Sequence, residues 1–400
     1  MTNKQLLRSI YIVAFVQTLS IAAADSILPV YLKALGASEF LVGIAFAWFS
    51  LVRGITSLSS GPLVDWLGRR TLLGFSQAGF ALANLAYALV QSPGQLAACR
   101  LVQGLAAGLY WVVILSMVAN ASAPADRLRN LTLFNISVAL SGMVGNWIAG
   151  FQAEYFSPSF VFLQSCIMFA SISLFIFRFF PEEQAPDHQQ PTGRFSFSAL
   201  LHISKQVKLI SLLAGVGMIA ETVTKMGMPL YVHGVGGSYR DVGLIAGLIV
   251  GCGLLSQFFA PKLQERLGNR GIILLVYVSN ALFLLVLFWQ KTLKLAYFLF
   301  PLIGALFALT NLTWLASAQN AAAAGQMGAA TGFFRGTLDL TNVAYYLAFG
   351  ALSARFTVVP LLAVAAFVLV ALAVTAQQVE LEHSSGSGQQ KGFSVAKGGR

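Results

Sequence analysis

Leu28-Pro29-Val30-Tyr31-Leu32-Lys33-Ala34-Leu35-Gly36-Ala37-Ser38 returns two hundred residues later as Met228-Pro229-Leu230-Tyr231-Val232-His233-Gly234-Val235-Gly236-Gly237-Ser238. Pro, Tyr, Gly and Ser keep their places, and the register continues on both sides. Val42 and Gly43 match Val242 and Gly243. Leu67, Gly68 and Arg70 match Leu267, Gly268 and Arg270, with Asp65 opposite Glu265. Gly150 matches Gly350, and Phe156 matches Phe356. Apolar sequence matches itself by chance, but Pro, Tyr, Gly and Arg repeated at one offset mark an internal duplication.

The units being duplicated are membrane spans. Hydrophobic residues make up 57% of the 400-residue chain and charged residues 10%, against roughly 25% charged in ordinary globular proteins. A chain this poor in charge cannot cover a water-facing surface. Soluble enzymes, fibrous proteins, disordered scaffolds and nucleic-acid-binding domains are excluded. A helical span needs about 20 mostly apolar residues. Twelve such runs are found: 9–34, 40–60, 71–91, 95–120, 131–153, 158–180, 207–233, 240–260, 271–290, 295–318, 329–352 and 357–377. They break at turn chemistry, including Gly36 to Ser38, Ser92-Pro93, Ser122-Ala123-Pro124, Ser157-Pro158 and Gly234 to Ser238. No period-2 alternation suggests a β-barrel. Six spans and six more, inserted the same way up, form a parallel repeat about an axis along the membrane normal, which places a substrate site between the halves near the bilayer midplane.

The net charge of +11 is topogenic. With the N-terminus inside, thirteen Lys and Arg (4, 8, 69, 70, 127, 129, 178, 194, 205, 208, 262, 266 and 270) fall on the cytoplasmic side against five outside (33, 240, 291, 294 and 355). That asymmetry predicts both termini in the cytoplasm. The expected organisation is a six-helix bundle over 1–180, a cytoplasmic linker over 181–206, a second six-helix bundle over 207–378, and a tag-like tail over 381–400. The run after Lys4 and Arg8 contains Asp25 and is too long for a cleaved signal. Cys99, Cys166 and Cys252 are isolated and imply neither disulfide nor metal.

The segment Gly61-Pro62-Leu63-Val64-Asp65-Trp66-Leu67-Gly68-Arg69-Arg70 resembles the G-x-x-x-D-R/K-x-G-R-R/K signature of the major facilitator superfamily. Leu96-Ala97-Ala98-Cys99-Arg100-Leu101-Val102-Gln103-Gly104 is similar to that family's L-x-x-x-R-x-x-Q-G element. The resemblance covers residues 5–378 and implies an all-α membrane protein of twelve transmembrane helices in two pseudo-symmetric bundles, resembling the drug/proton antiporters. Trp66 stands where the family has a basic residue. The family's G-P-x-x-G-G antiporter motif survives as Gly145-Asn146-Trp147-Ile148-Ala149-Gly150, without its proline.

Ionisable groups inside a bilayer are functional candidates by default. Here they are Asp25, Arg53, Arg100, Glu221, Lys225, Arg335 and Asp339. Asp25 and Arg100 lie about 13 and 8 Å below the outer ends of their spans at 1.5 Å per residue. Spans one, four, seven and ten line the cavity in the superfamily, so the resemblance puts this pair in reach of each other. A carboxylate alternating between an arginine and a proton can couple transport to protons, since burial disfavours its ionised form and a guanidinium favours it. A permanent structural ion pair is the competing reading. Lys225 is the repeat mate of Asp25, and Glu221 precedes it by four residues, the favourable order for a helical pair. The proton-coupling set is thus Asp25, Arg100, Glu221 and Lys225. Spans two and eleven face each other in the superfamily. Arg53 and Asp339 are accordingly expected to pair across the halves, with Arg335 and Asp65 nearby, and Gly61, Arg69 and Arg70 complete the gating set. Gly243, Gly247 and Gly251 on span eight and Gly142, Gly145 and Ala149 on span five offer faces for close helix approach. Tyr110, Trp111, Asn311, Trp314, Asn342 and Tyr345 are substrate-binding candidates by helical face alone, with packing as the alternative.

Secondary active transport by alternating access is the expected function: proton-coupled export, by antiport, of an amphipathic or drug-like small molecule. Proton symport or uniport of a small polar metabolite is the alternative. A membrane enzyme would need clustered His, Cys or carboxylates at metal or catalytic spacing, and a primary pump a P-loop; the sequence has neither. The expected partners are a small-molecule substrate, protons and the lipid bilayer. Neither nucleic acid, cofactor nor metal is expected, and the protein is expected to act as a monomer in a bacterial inner membrane.

Overall fold

The computed structural model describes residues 3–181, 203–322 and 327–378, and helix is the regular structure throughout these. The expected linker lies mostly, and the expected tail wholly, outside the described residues. The first six helices are α1 (Asn3–Ala34), α2 (Glu39–Leu67), α3 (Arg69–Leu89), α4 (Pro93–Ala121), α5 (Arg127–Tyr155) and α6 (Pro158–Phe179). α7 (Lys205–Gly234) follows. A 52-residue helix, Tyr239–Gln290, has non-helical backbone at Gly268 (φ 64°, ψ 176°), which divides it into α8 (239–267) and α9 (269–290). α10 (Leu293–Asn320), α11 (Met327–Phe356) and α12 (Val358–Ala376) complete the set.

Ten helices among the described residues, with Tyr239–Gln290 taken as one, are long and apolar enough to cross a membrane. α11 is not among them although it has 30 residues. Arg335, Asp339 and Asn342 lower its mean hydropathy, as a helix facing another protein surface rather than lipid allows.

The duplication is visible in the backbone. All four positive-φ glycines among the described residues form two pairs at the repeat offset: Gly36 (87°) with Gly236 (84°), and Gly68 (76°) with Gly268 (64°). Only glycine adopts these angles without strain. They also correct two connections. The sequence reads 61–70 and 261–270 as loops, yet α2 continues to Leu67 and α8 runs through Pro261 before each glycine turns the chain. Polarity alone does not end a helix, because a solvated helix keeps its own hydrogen bonds; a left-handed residue does end it.

Four serine caps gather at one end of the bundle, while Ser204, which accepts from the Val207 N–H, caps α7 at the other. Ser38, Ser92, Ser157 and Ser238 each accept a hydrogen bond from a backbone N–H three residues on, at the turns α1–α2, α3–α4, α5–α6 and α7–α8. We call the end with four caps the capped end; α1 starts and α12 finishes at the other. Side chains of both halves share one buried cluster, which near the capped end includes Ile27, Tyr31, Val42 and Phe46 with Met228, Leu230, Val242 and Tyr346. Ile10, Val13, Phe134, Ile172 and Ile176, near the opposite end of the first half, belong to a separate cluster made of first-half residues.

Candidate functional site

A cavity of about 440 Å³ lies where α1, α2, α4 and α5 meet α7, α8, α10 and α11. Its wall is mostly apolar and aromatic, with Phe46, Phe49, Met228, Phe307 and Tyr346. Five charged residues line it: Asp25, Arg53, Arg100, Glu221 and Lys225.

In the first half, Arg100 Nη1 donates to Asp25 Oδ1 at 2.7 Å and to Gln103 Oε1 at 2.5 Å. Gln103 Nε2 donates to the same Asp25 oxygen at 3.1 Å, and the Tyr87 hydroxyl donates to Gln103 Oε1 at 2.6 Å. Arg100 is buried, with its guanidinium carbon 4.3 Å from the centre of the Phe49 ring and 4.8 Å from that of Phe46. Stacking on two ring faces and one carboxylate replaces the water that this cation has lost. Helical spacing explains the grouping: Arg100 and Gln103, three apart on α4, present one face to α1.

In the second half, Lys225 Nζ lies 2.5 Å from Glu221 Oε1. α7 is not a plain helix here: Val223–Gly227 is a π-helical turn. A π turn widens the helix by one residue and is frequent at functional sites. Asn342 Nδ2 of α11 donates to the other Glu221 oxygen, Oε2, at 3.3 Å.

Across the halves, Arg53 of α2 lies against Asp339 of α11, Nη2 to Oδ1 2.5 Å. Arg335 is exposed on α11. Gly61 and Asp65 fall on α2, outside the residues whose side chains are described. Arg69 Nε donates to Ser116 Oγ at 3.2 Å, and Arg70 donates to the Phe177 carbonyl, so these two tie α3 to α4 and α6 within one half.

The six residues chosen by face do not line the cavity. Tyr110 is fully buried between Phe80 and Trp111 in the first-half core, with centroids 6.5 and 5.1 Å away. Trp314 donates to the Tyr277 hydroxyl at 2.7 Å inside the second half, where Asn311 lies beside it. Tyr345 donates to the Val216 carbonyl at 2.9 Å, and Asn342 holds Glu221. The aromatic wall went unselected because an apolar run does not reveal which face is wet. Tyr346 is one residue from the chosen Tyr345, which is a rotation of about 100° on a helix. Gln103 stood in the quoted element of span four, and its amide could have been read as the partner of a buried arginine.

The major facilitator superfamily model matches residues 10–344. The chain is 28% identical over 152 residues to the quinolone resistance protein NorA of Staphylococcus aureus (strain MRSA252), spanning 38% of this chain and 39% of NorA. It therefore matches about two fifths of that relative's length. An MFS-type transporter of Methanocaldococcus jannaschii is 24% identical over 281 residues, 68% of this chain and 71% of that protein. Among solved structures, the nucleoside transporter NupG superposes with a TM-score of 0.80 at 14% identity, covering 94% of this chain and 98% of that one. A D-xylose-proton symporter gives 0.74 at 15% identity, covering 93% and 97%. At these identities the superpositions show a shared fold. With the family match extending over most of the chain, the protein belongs to the major facilitator superfamily.

Proposed function

We propose that the protein is a secondary active transporter that exports an amphipathic, drug-like molecule in exchange for protons. The observation that carries this reading is the Asp25–Arg100 pair at the wall of a cavity shared by both halves. A carboxylate there can hold a proton or an arginine, and rocking of one half against the other changes which is in reach. A volume of about 440 Å³ with a mostly apolar wall and few polar groups suits a drug-sized cargo. The similarity to a quinolone resistance protein supports the same cargo class. In this reading residues 1–180 and 207–378 move as two bodies, both termini face the cytoplasm of a bacterial inner membrane, and the capped end faces out. Arg53 and Asp339 act as a gate that parts when the halves rock.

Symport or uniport of a small polar metabolite is the second reading, favoured by the missing proline between Gly145 and Gly150. The test is transport by purified protein in liposomes under an imposed pH gradient. Export by antiport predicts cargo accumulation on the acidic side, lost when a protonophore collapses the gradient. Accumulation on the alkaline side identifies symport instead.

A further inference from the structure

Asp25 and Lys225 occupy the same place in the duplication, two hundred residues apart, on α1 and α7. Both line the cavity. Each belongs to an ion pair whose other member is held further from solvent. The Asp25 side chain is 32% exposed and Arg100 1%; Lys225 is 52% exposed and Glu221 14%. The most exposed cavity charge of each half is thus opposite in sign, an anion from the first and a cation from the second.

Neither group is saturated by its partners. Among the described residues, both hydrogen bonds to Asp25 land on Oδ1, so Oδ2 has capacity to accept. Among the described residues Lys225 makes one ion pair, with Glu221, while an ammonium carries three donors. Charge balance also limits what can bind. Counting Asp339 with its partner Arg53, the cavity charges form three acid–base pairs with no excess of either sign. A cargo of net charge would bring an uncompensated charge into a low-dielectric space and set it against Lys225 and Arg53, or against Asp25 and Glu221. A cargo with one charge of each sign meets a complement at both ends.

We infer that the transported molecule is an amphipathic zwitterion, gripped by its ammonium at Asp25 and by its carboxylate at Lys225. The inference rests on the export reading and narrows it. It also gives that reading a reason for exchange, because the cargo's ammonium and a proton compete for one carboxylate. The apolar body of the cargo lies against Phe46, Phe49 and Tyr346. Both halves must hold it together, because Asp25 comes from the first and Lys225 from the second.

The experiment measures binding to the purified full chain of three probes on one skeleton. They are a quinolone bearing a carboxylate and a piperazine amine, its methyl ester (a cation) and its N-acetyl derivative (an anion). The zwitterion is expected to bind at least about tenfold more tightly than either, as one charge-assisted contact would give. Lys225→Gln should erase the advantage over the ester and keep that over the N-acetyl compound; Asp25→Asn should do the reverse. Lys225→Arg should retain both. Glu221→Gln with Lys225→Gln repeats the first test without leaving a lone carboxylate, should the single variant fail to fold. An ester that binds as tightly as the zwitterion, or ratios unchanged by Lys225→Gln and the double variant, overturns the inference and leaves drug export standing. Binding of none of the three, together with no pH-driven movement of any, overturns both.

Discussion

Gly43 on α2 and Gly350 on α11 approach so closely that a Cβ placed on either would lie 3.0 Å from the other's Cα. Their repeat mates meet in the same way: a Cβ on Gly243 of α8 would lie 2.6 Å from Gly150 Cα on α5. Two backbone contacts related by the duplication thus seal the halves together at the capped end. Small residues are what allow helices to approach this closely in a membrane. Nearby, Trp147 Nε1 donates to the Leu244 carbonyl at 3.2 Å, and Tyr239 N–H donates to Glu154 at 3.0 Å, both across the halves.

Gly43→Ala and Gly243→Ala should each disfavour this closure, since forcing a methyl into a packed contact costs about 1–3 kcal/mol. Spin labels at Tyr155 and Gln290, exposed positions near the capped ends of the two halves, would report it as a shift to longer distances. Gly336→Ala is the control, because nothing lies within 4 Å of the position its Cβ would take. Unchanged distances in both variants would contradict the closure.

The Arg53–Asp339 pair joins the halves nearer the middle of the membrane. Asp339→Asn leaves a cavity-lining guanidinium without its carboxylate. Breaking a fully buried pair costs about 3–5 kcal/mol, and this one is partly exposed, so a loss of ~1–3 kcal/mol is expected. The reversed pair, Arg53→Asp with Asp339→Arg, should recover much of the melting temperature in detergent. Equal destabilisation by the single and reversed variants would show that the contact itself contributes nothing.

The charges were legible in the sequence for a physical reason: they are so scarce among apolar runs that each must find a partner. Glu221 with Lys225 followed from their spacing, while Asp25 with Arg100 and Arg53 with Asp339 needed the family resemblance to say which spans face each other. The turns were legible through Gly36, Gly236 and the serine caps, where backbone geometry admits few residue types. The cavity aromatics were not. Phe46 and Phe49 sit in an apolar run whose one charge, Arg53, a turn beyond Phe49, was assigned to the gate rather than the cavity, and the π turn at Val223–Gly227 shifts the phase of α7 beyond it. Helix length misled at Gly61 to Leu67, where Pro62 and Asp65 stay inside α2.

Tyr110 and Trp314 separate packing from cargo contact. The Tyr110 hydroxyl is buried with no hydrogen-bond partner among the described residues. Tyr110→Phe should therefore leave transport unchanged and raise stability, by up to about 1–3 kcal/mol, the usual penalty of an unsatisfied buried polar group. Trp314→Phe loses its 2.7 Å bond to Tyr277 and should lower the melting temperature while sparing cargo affinity. Slowed transport in Tyr110→Phe at normal stability would return that residue to the transport pathway.

The central claim is that Asp25 carries the coupling proton, and Asp25→Asn tests it most directly. The amide mimics the protonated carboxyl permanently and keeps an oxygen for Arg100 and Gln103 to donate to. In liposomes with saturating cargo on both sides, the variant should still exchange labelled for unlabelled cargo. It should fail to accumulate cargo when only a pH gradient is imposed, under conditions where the unmodified protein does so. Accumulation by Asp25→Asn at the unmodified rate would contradict the account and leave Asp25 as a structural partner of Arg100.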